Sequence, residues 1–162
     1  MMWVLGVFLG VIVFCVGYKK FLSLKRKKQF FEEFLHFLNT LNTQIGFFQN
    51  KLEEVFEKHN YSTEFCIFLK QCKTFILTAN KKEFLLFLSS ESFFDSSEHK
   101  FVVDFFECFG KLDVGSQCDA ISKFSFFIKN KLQNENEHFK RKGKLTLSLS
   151  ALLGIFVFIV IW

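Results

Sequence analysis

The two ends of this 162-residue chain are apolar and carry no charged side chain, and each meets a run of Lys and Arg on the side facing the middle. Residues 1–18 and 145–162, as helices rising about 1.5 Å per residue, would each cover roughly 27 Å, enough for a bilayer core. Lys19, Lys20, Lys25, Arg26, Lys27 and Lys28 follow the first stretch, and Lys140, Arg141, Lys142 and Lys144 precede the second. Short flanks rich in Lys and Arg stay on the cytoplasmic side of a membrane. The pattern predicts a two-pass cell-membrane topology, with transmembrane helices over 1–18 and 145–162. Between them, residues 19–144 form a cytoplasmic domain with basic membrane-proximal flanks.

Other readings of the ends are weaker. No Lys or Arg precedes Val4, and Val16 and Tyr18 crowd any cleavage site near Gly17, so the first stretch is expected to be retained rather than cleaved as a signal peptide. Bulky Phe14 stands before Cys15, where a lipoprotein acceptor site prefers a small residue. Trp162 suits the interfacial end of a span.

The net charge of +5 hints at nucleic acid only if it is evenly spread. Ten of the 21 basic residues lie in the two flanks, leaving 11 against 16 acidic residues over 29–139, a net of −5. The basic charge belongs to the membrane surface, where lipid is the expected partner. The domain itself is acidic, which argues against nucleic acid and for a basic protein partner. Its roughly 126 residues match a single domain with its own core.

The chain has 27 Phe and no Pro. Phe beside abundant Lys and Asn reads as compositional drift, with Phe at core positions where Leu would serve, and the lack of Pro leaves every segment free to be helical. Cys15, Cys66, Cys72, Cys108 and Cys118 form no C-x-x-C pair and are expected to be small buried hydrophobes in a reducing compartment, Cys15 as a lipid- or helix-facing small apolar residue.

The apolar period is helical throughout. Phe30, Phe34, Phe37, Leu38, Leu41, Ile45 and Phe48 step by three and four, a first amphipathic helix continuous with the N-terminal stretch. Asn50 with Glu53 opens a short helix carrying Leu52, Val55 and Phe56, which His59 and Asn60 end. Ser62 or Thr63 caps a helix striped by Phe65, Phe68, Leu69, Cys72, Phe75 and Ile76. Asn80 with Glu83 opens another, carrying Phe84, Phe87 and Leu88. Ser89, Ser90, Glu91 and Ser92 weaken the pattern, and Asp95, Ser96 and Ser97 mark a loop. A helix from about Glu98 carries Phe101, Val102, Phe105 and Phe109 until Gly110 stops it. The last, from near Asp113, shows Ile121, Phe124, Ile128, Leu132 and Phe139 and runs through Gly143 into the C-terminal stretch. No alternating run or Asn-Gly or Asp-Gly turn signals a strand. The expected fold is all-α: a cytoplasmic helical bundle of about five to six helices between two transmembrane helices.

The run from Glu107 to Gln117 is the most specific part of the chain. Gly110 suits the left-handed conformation that closes a helix, Leu112 is placed to pack back on it, and Asp113 to cap the next helix. The same run, Glu107-Cys-Phe-Gly110-Lys-Leu-Asp113-Val-Gly-Ser-Gln117, resembles the E-x-L-G-x-x-D-x-x-x-Q corner of the stage III sporulation protein AB family. The resemblance continues in Gln44-Ile45, Leu52-Glu-Glu-Val-Phe56 and Leu149-Ser-Ala-Leu-Leu-Gly154, in matching order along the chain. Phe109 stands where that family commonly has Leu, and the Pro often found before its second helix is missing over 47–51.

The resemblance implies a membrane component of the channel linking mother cell and forespore, placed in the mother-cell membrane around the forespore. It also implies kinship with the platform proteins of type II secretion and type IV pilus systems. Its partners would be channel membrane proteins and a cytoplasmic secretion-type ATPase, and its role architectural. Gly110, Asp113 and Gln117 are the structural motif, and Glu107, Gln117 and Asp119 are candidate partner contacts.

Chemistry has little support in the sequence. There is no Gly-rich phosphate loop, H-E-x-x-H, G-x-S-x-G or metal-spaced Cys/His cluster. His36, His59, His99 and His138 read as solvated or capping residues, and Glu107 with Asp113 as a surface Glu and an N-cap rather than an acid pair. The expectation is a non-enzyme with no catalytic residue, cofactor, metal or small-molecule substrate. Two other classes remain: a membrane-tethered helical adaptor or secretion-platform subunit outside sporulation, and a redox or metal sensor using Cys66, Cys72, Cys108 and Cys118.

Overall fold

The computed structural model describes residues 2–48, 61–109 and 111–161, with side chains described for these except 2–10, 13, 46–48, 144, 146, 147, 154 and 157–161. In chain order the elements are α1 (Met2–Phe48), α2 (Thr63–Thr78), α3 (Lys81–Ser90), α4 (Ser96–Cys108), α5 (Val114–His138), a π-helical stretch Phe139–Gly143 and α6 (Lys144–Ile161). No strand occurs among the described residues. The expected short helix over 50–60, with Asn50, Glu53, Leu52, Val55, Phe56 and His59, lies outside them.

Capping explains most of the boundaries. The Ser62 side chain accepts from the Phe65 N–H at 3.4 Å and opens α2. Asn80 accepts from the Glu83 N–H at 3.4 Å, and its amide donates back to the Glu83 carboxylate at 3.0 Å. α3 ends where the Ser89 and Ser90 hydroxyls turn back to donate to the Leu86 and Phe87 carbonyls at 2.8 and 2.7 Å. The expected loop over Asp95, Ser96 and Ser97 is corrected: Asp95 is the N-cap and α4 starts at Ser96. The Asp95 N–H donates to the Glu98 carboxylate at 2.9 Å, so the serines enter the first turn instead of breaking it.

The chain divides into two compact units: Phe30–Asn130 is one, and Met1–Gln29 with Lys131–Trp162 is the other. In the first, the expected stripes form the core. Phe30, Phe34, Phe37, Leu38, Leu41 and Ile45 of α1 are buried, as are Phe65, Phe68, Leu69, Cys72 and Phe75 of α2 and Ile121, Phe124 and Ile128 of α5. Phe34 is the hub. Its ring meets Phe68 of α2 at 5.2 Å, Phe94 of the α3–α4 connection at 6.3 Å, Phe106 of α4 at 6.4 Å and Phe124 of α5 at 5.6 Å. Flat stacks complete the packing, Phe30 on Phe93 at 3.9 Å, Phe105 on Phe124 at 4.0 Å and Phe75 on Phe84 at 4.5 Å. The Phe content is thus spent largely on the core. Phe101 departs from its expected buried place: it is exposed, at the edge of the α4 stripe, against Phe127 at 4.9 Å, while Val103 and Phe106 are buried.

A polar clasp ties α2 to α1. The Ser62 N–H and hydroxyl donate to the Glu33 carboxylate at 3.1 and 2.6 Å, and His36 Nδ1 lies 3.4 Å from the Tyr61 hydroxyl. Burial, with the Glu33 and Cys66 charges, pushes the Tyr61 phenol up to about 12.

In the other unit, α1 meets the π-helical stretch. Phe21 and Phe139 rings lie 5.3 Å apart, Lys28 Nζ sits 5.6 Å from the Phe139 ring centre, and Lys27 pairs with the buried Glu135 at 3.0 Å. A Cβ on Gly143 would lie 3.6 Å from Phe21 and 3.8 Å from Leu24, so glycine here permits close approach. Large apolar side chains on both terminal helices are solvent-facing, with Val16 64% and Leu152 63% exposed. Among the described residues, no helix is long and apolar enough to cross a membrane. Many side chains of the two terminal stretches lie outside that set.

Candidate functional site

The Gly110 corner joins α4 to α5. α4 ends at Cys108, the buried Phe109 turns to extended backbone, and the Lys111 N–H donates to the Cys108 carbonyl at 3.2 Å. Gly110, expected to close the helix in a left-handed conformation, lies outside the described residues. Leu112, expected to pack back on the helix, is instead 41% exposed. Phe109 already occupies the buried position at this end of α4, which leaves Leu112 on the outside.

Asp113 stands where an N-cap is needed. Its carboxylate accepts from the Ser116 N–H at 3.1 Å, and its carbonyl accepts from the Gln117 N–H at 2.9 Å as α5 begins at Val114. Hydrogen bonds from the Ser116 hydroxyl and N–H hold the Asp113 carboxyl below its ordinary pKa. Gln117 turns back so that its side-chain amide donates to the Leu112 carbonyl at 3.0 Å. The structure therefore brings Asp113 and Gln117 together, each bonded to the same turn.

The acidic candidates divide. Asp119 is exposed on the next turn of α5. Glu107 is half-buried and pairs with Lys81 at the start of α3 at 2.6 Å. The Glu107 carboxylate hydrogen-bonds Lys81 and holds its ammonium above the ordinary value. Sequence reasoning missed this pair. Its signal was Lys81 itself, a cation at the first position of a helix, where the macrodipole disfavours it and an anionic neighbour is wanted.

Beneath the pair, a cleft lined by Phe75, Ile76, Ala79, Phe106 and Phe109 among others encloses about 20 Å³, room for about one water. Ala79 forms its rim with a φ of 53° as the C-cap of α2, and its N–H donates to the Phe75 carbonyl at 2.8 Å.

The cysteines correct the sequence reading in part. Cys72 alone is buried, and burial pushes its thiol well above the ordinary value; Cys66 and Cys118 are intermediate, and Cys15 and Cys108 are exposed. Cys72 sits on the apolar stripe of α2, whereas Cys108 ends α4 off its buried face. Among the described residues, no group of three or more His, Cys, Asp or Glu side chains is placed to hold a metal ion. Of the histidines, His99 lies 3.3 Å from the Phe94 carbonyl, His36 and His138 are exposed, and His59 lies outside the described residues.

What the described residues of the corner offer is a capped start of α5 with exposed Leu112, Val114 and Asp119 around it. No curated protein and no solved structure matches the chain. The family model for stage III sporulation protein AB matches residues 2–162, an extent that takes in the corner, both apolar ends and every helix between them, and the chain therefore belongs to the stage III sporulation protein AB family.

Proposed function

We propose that the protein is a two-pass membrane component of the channel between mother cell and forespore, with its helical domain in the mother-cell cytoplasm as the docking body for a secretion-type ATPase. The family supplies a role in sporulation. The finer reading rests on one observation above others: both terminal helices present large apolar side chains to solvent, Val11, Ile12, Phe14 and Val16 on α1 and Leu149, Leu152, Leu153 and Phe156 on α6. Two solvent-facing apolar stripes of this size call for lipid or protein cover. The basic runs sit on the inner side of each, which favours the cytoplasm for the domain.

Within the domain, the acidic excess favours a basic protein surface as partner, and the capped start of α5 with exposed Asp119 gives that partner a feature to grip. The role is mechanical: the domain holds the ATPase against the membrane without chemistry of its own.

The test is co-purification of the full chain with the candidate ATPase from sporulating cells. Association is expected to weaken as salt shortens the Debye length below about 8 Å. Asp119→Lys is expected to weaken it as well. Glu107→Lys alone would confuse docking with the Lys81 pair, so it is combined with Lys81→Glu, which restores an ion pair of reversed sense. Retention of the ATPase and normal sporulation by a folded variant carrying all three changes would remove the acidic corner from the interface. Absence of the ATPase from wild-type complexes would remove the docking role.

A further inference from the structure

The unit formed by Met1–Gln29 and Lys131–Trp162 carries 11 basic side chains and 2 acidic ones. Both carboxylates already face a cation, Glu135 with Lys27 at 3.0 Å and Glu137 with Arg141 at 3.8 Å. The unit therefore holds a net side-chain charge of +9 that its own carboxylates cannot offset.

That charge is drawn into one band. The Phe21–Phe139 contact, the Lys28–Phe139 contact and the seat of Gly143 against Phe21 and Leu24 place the basic run of α1 beside that of the π-helical stretch. Lys19, Lys20, Lys25, Lys140 and Arg141 are all exposed along it. Solvent-facing apolar side chains abut the band on both helices, Val16 and Tyr18 before Lys19 on α1, and Leu145 and Leu149 after Gly143 on α6. A cationic band bordered by an apolar one matches the layering of a lipid leaflet, phosphates above acyl chains.

We propose that this band is a selective binding surface for the headgroups of anionic phospholipids, which it gathers around the paired helices. The proposal rests on the membrane reading above and adds a lipid preference to it. Charge complementarity makes the choice. A zwitterionic headgroup brings its own cation into a +9 field, whereas phosphatidylglycerol brings a phosphate with no compensating cation.

The experiment uses the full chain in phosphatidylcholine nanodiscs containing spin-labelled phosphatidylglycerol or spin-labelled phosphatidylcholine, with the motionally restricted fraction read by electron spin resonance. Phosphatidylglycerol is expected to associate about threefold or more over phosphatidylcholine at low salt, falling toward parity at about 0.5 M NaCl as screening takes over. Replacing Lys20, Lys25, Lys140 and Arg141 by Gln is expected to lower the ratio clearly, since the unit's net side-chain charge falls from +9 to +5. The same change at Lys70, Lys82, Lys123 and Lys129, exposed in the other unit, is expected to leave it in place. Inorganic phosphate at constant ionic strength is expected not to compete; competition would make this a free-anion surface and overturn the lipid assignment. Equal association of the two lipids with an inserted wild-type chain would overturn the preference while leaving the membrane reading standing. Recovery of the chain outside the discs would overturn both.

Discussion

Cys72 and Cys108 show how far one residue type can differ within one domain. Cys72 is buried on the apolar stripe of α2 with its thiol pushed up by burial, and Cys108 is exposed at the end of α4. Cys72→Ser would put a hydroxyl in that apolar site and is expected to cost about 1–3 kcal/mol in chemical denaturation. Cys108→Ser is expected to stay within about 0.5 kcal/mol of wild type. A native-state alkylation time course should label Cys108 and spare Cys72. Asp113 carries a pH prediction. Its folded pKa lies below the unfolded value of about 3.9, so its stabilisation is present above that value and is lost as pH falls through the lower, folded one. Asp113→Asn keeps a capping oxygen and removes the titration, so its melting temperature should fall less steeply than wild type's on the acid side.

At the scale of elements, the ends of the helices carry the testable strain. Ala79 closes α2 with a φ of 53°, a left-handed conformation where a Cβ is unfavourable. Ala79→Gly is expected to stabilise the protein by about 0.5–1 kcal/mol, the relief of strain exceeding the added freedom of the unfolded chain. A midpoint unchanged or lowered in urea would mean that the Ala79 methyl on the rim of the cleft contributes more than the strain costs. Gly110→Val gives the reverse expectation for the sequence reading of the corner. A β-branched side chain in a left-handed position should cost about 1–2 kcal/mol, and indifference to the change would give the corner an ordinary backbone there.

For the whole molecule, topology is the property on which the proposed function depends. Cysteines introduced at Met2 and Trp162 are expected to react with membrane-impermeant thiol reagents on wall-less cells, while Cys66 and Cys72 should not. Labelling of the introduced sites alone fits a domain held in the cytoplasm by both ends. Labelling of Cys66 from outside, at a half-exposed position in the helical domain, would reverse the orientation. Cys72 is buried and so is the weaker reporter, a distinction that only the fold supplies.

The sequence by itself determined the helices and most of their limits, because capping and apolar period are local. Ser62, Asn80 and Asp113 stand at helix starts for reasons contained within three or four residues, and the stripes from Phe30 to Ile45 and from Phe65 to Phe75 needed only a 3.6-residue repeat to be seen. It also determined the partition of charge, since counting needs no coordinates. What only the tertiary structure decided was which side chains meet. Lys81 and Glu107 are 26 positions apart, and Phe34 of α1 meets rings of α2, α4 and α5. The exposure of Leu112 and Cys108 and the approach of two distant basic runs likewise depend on how helices pack. Such contacts join residues far apart in the chain, so no periodicity or local propensity encodes them.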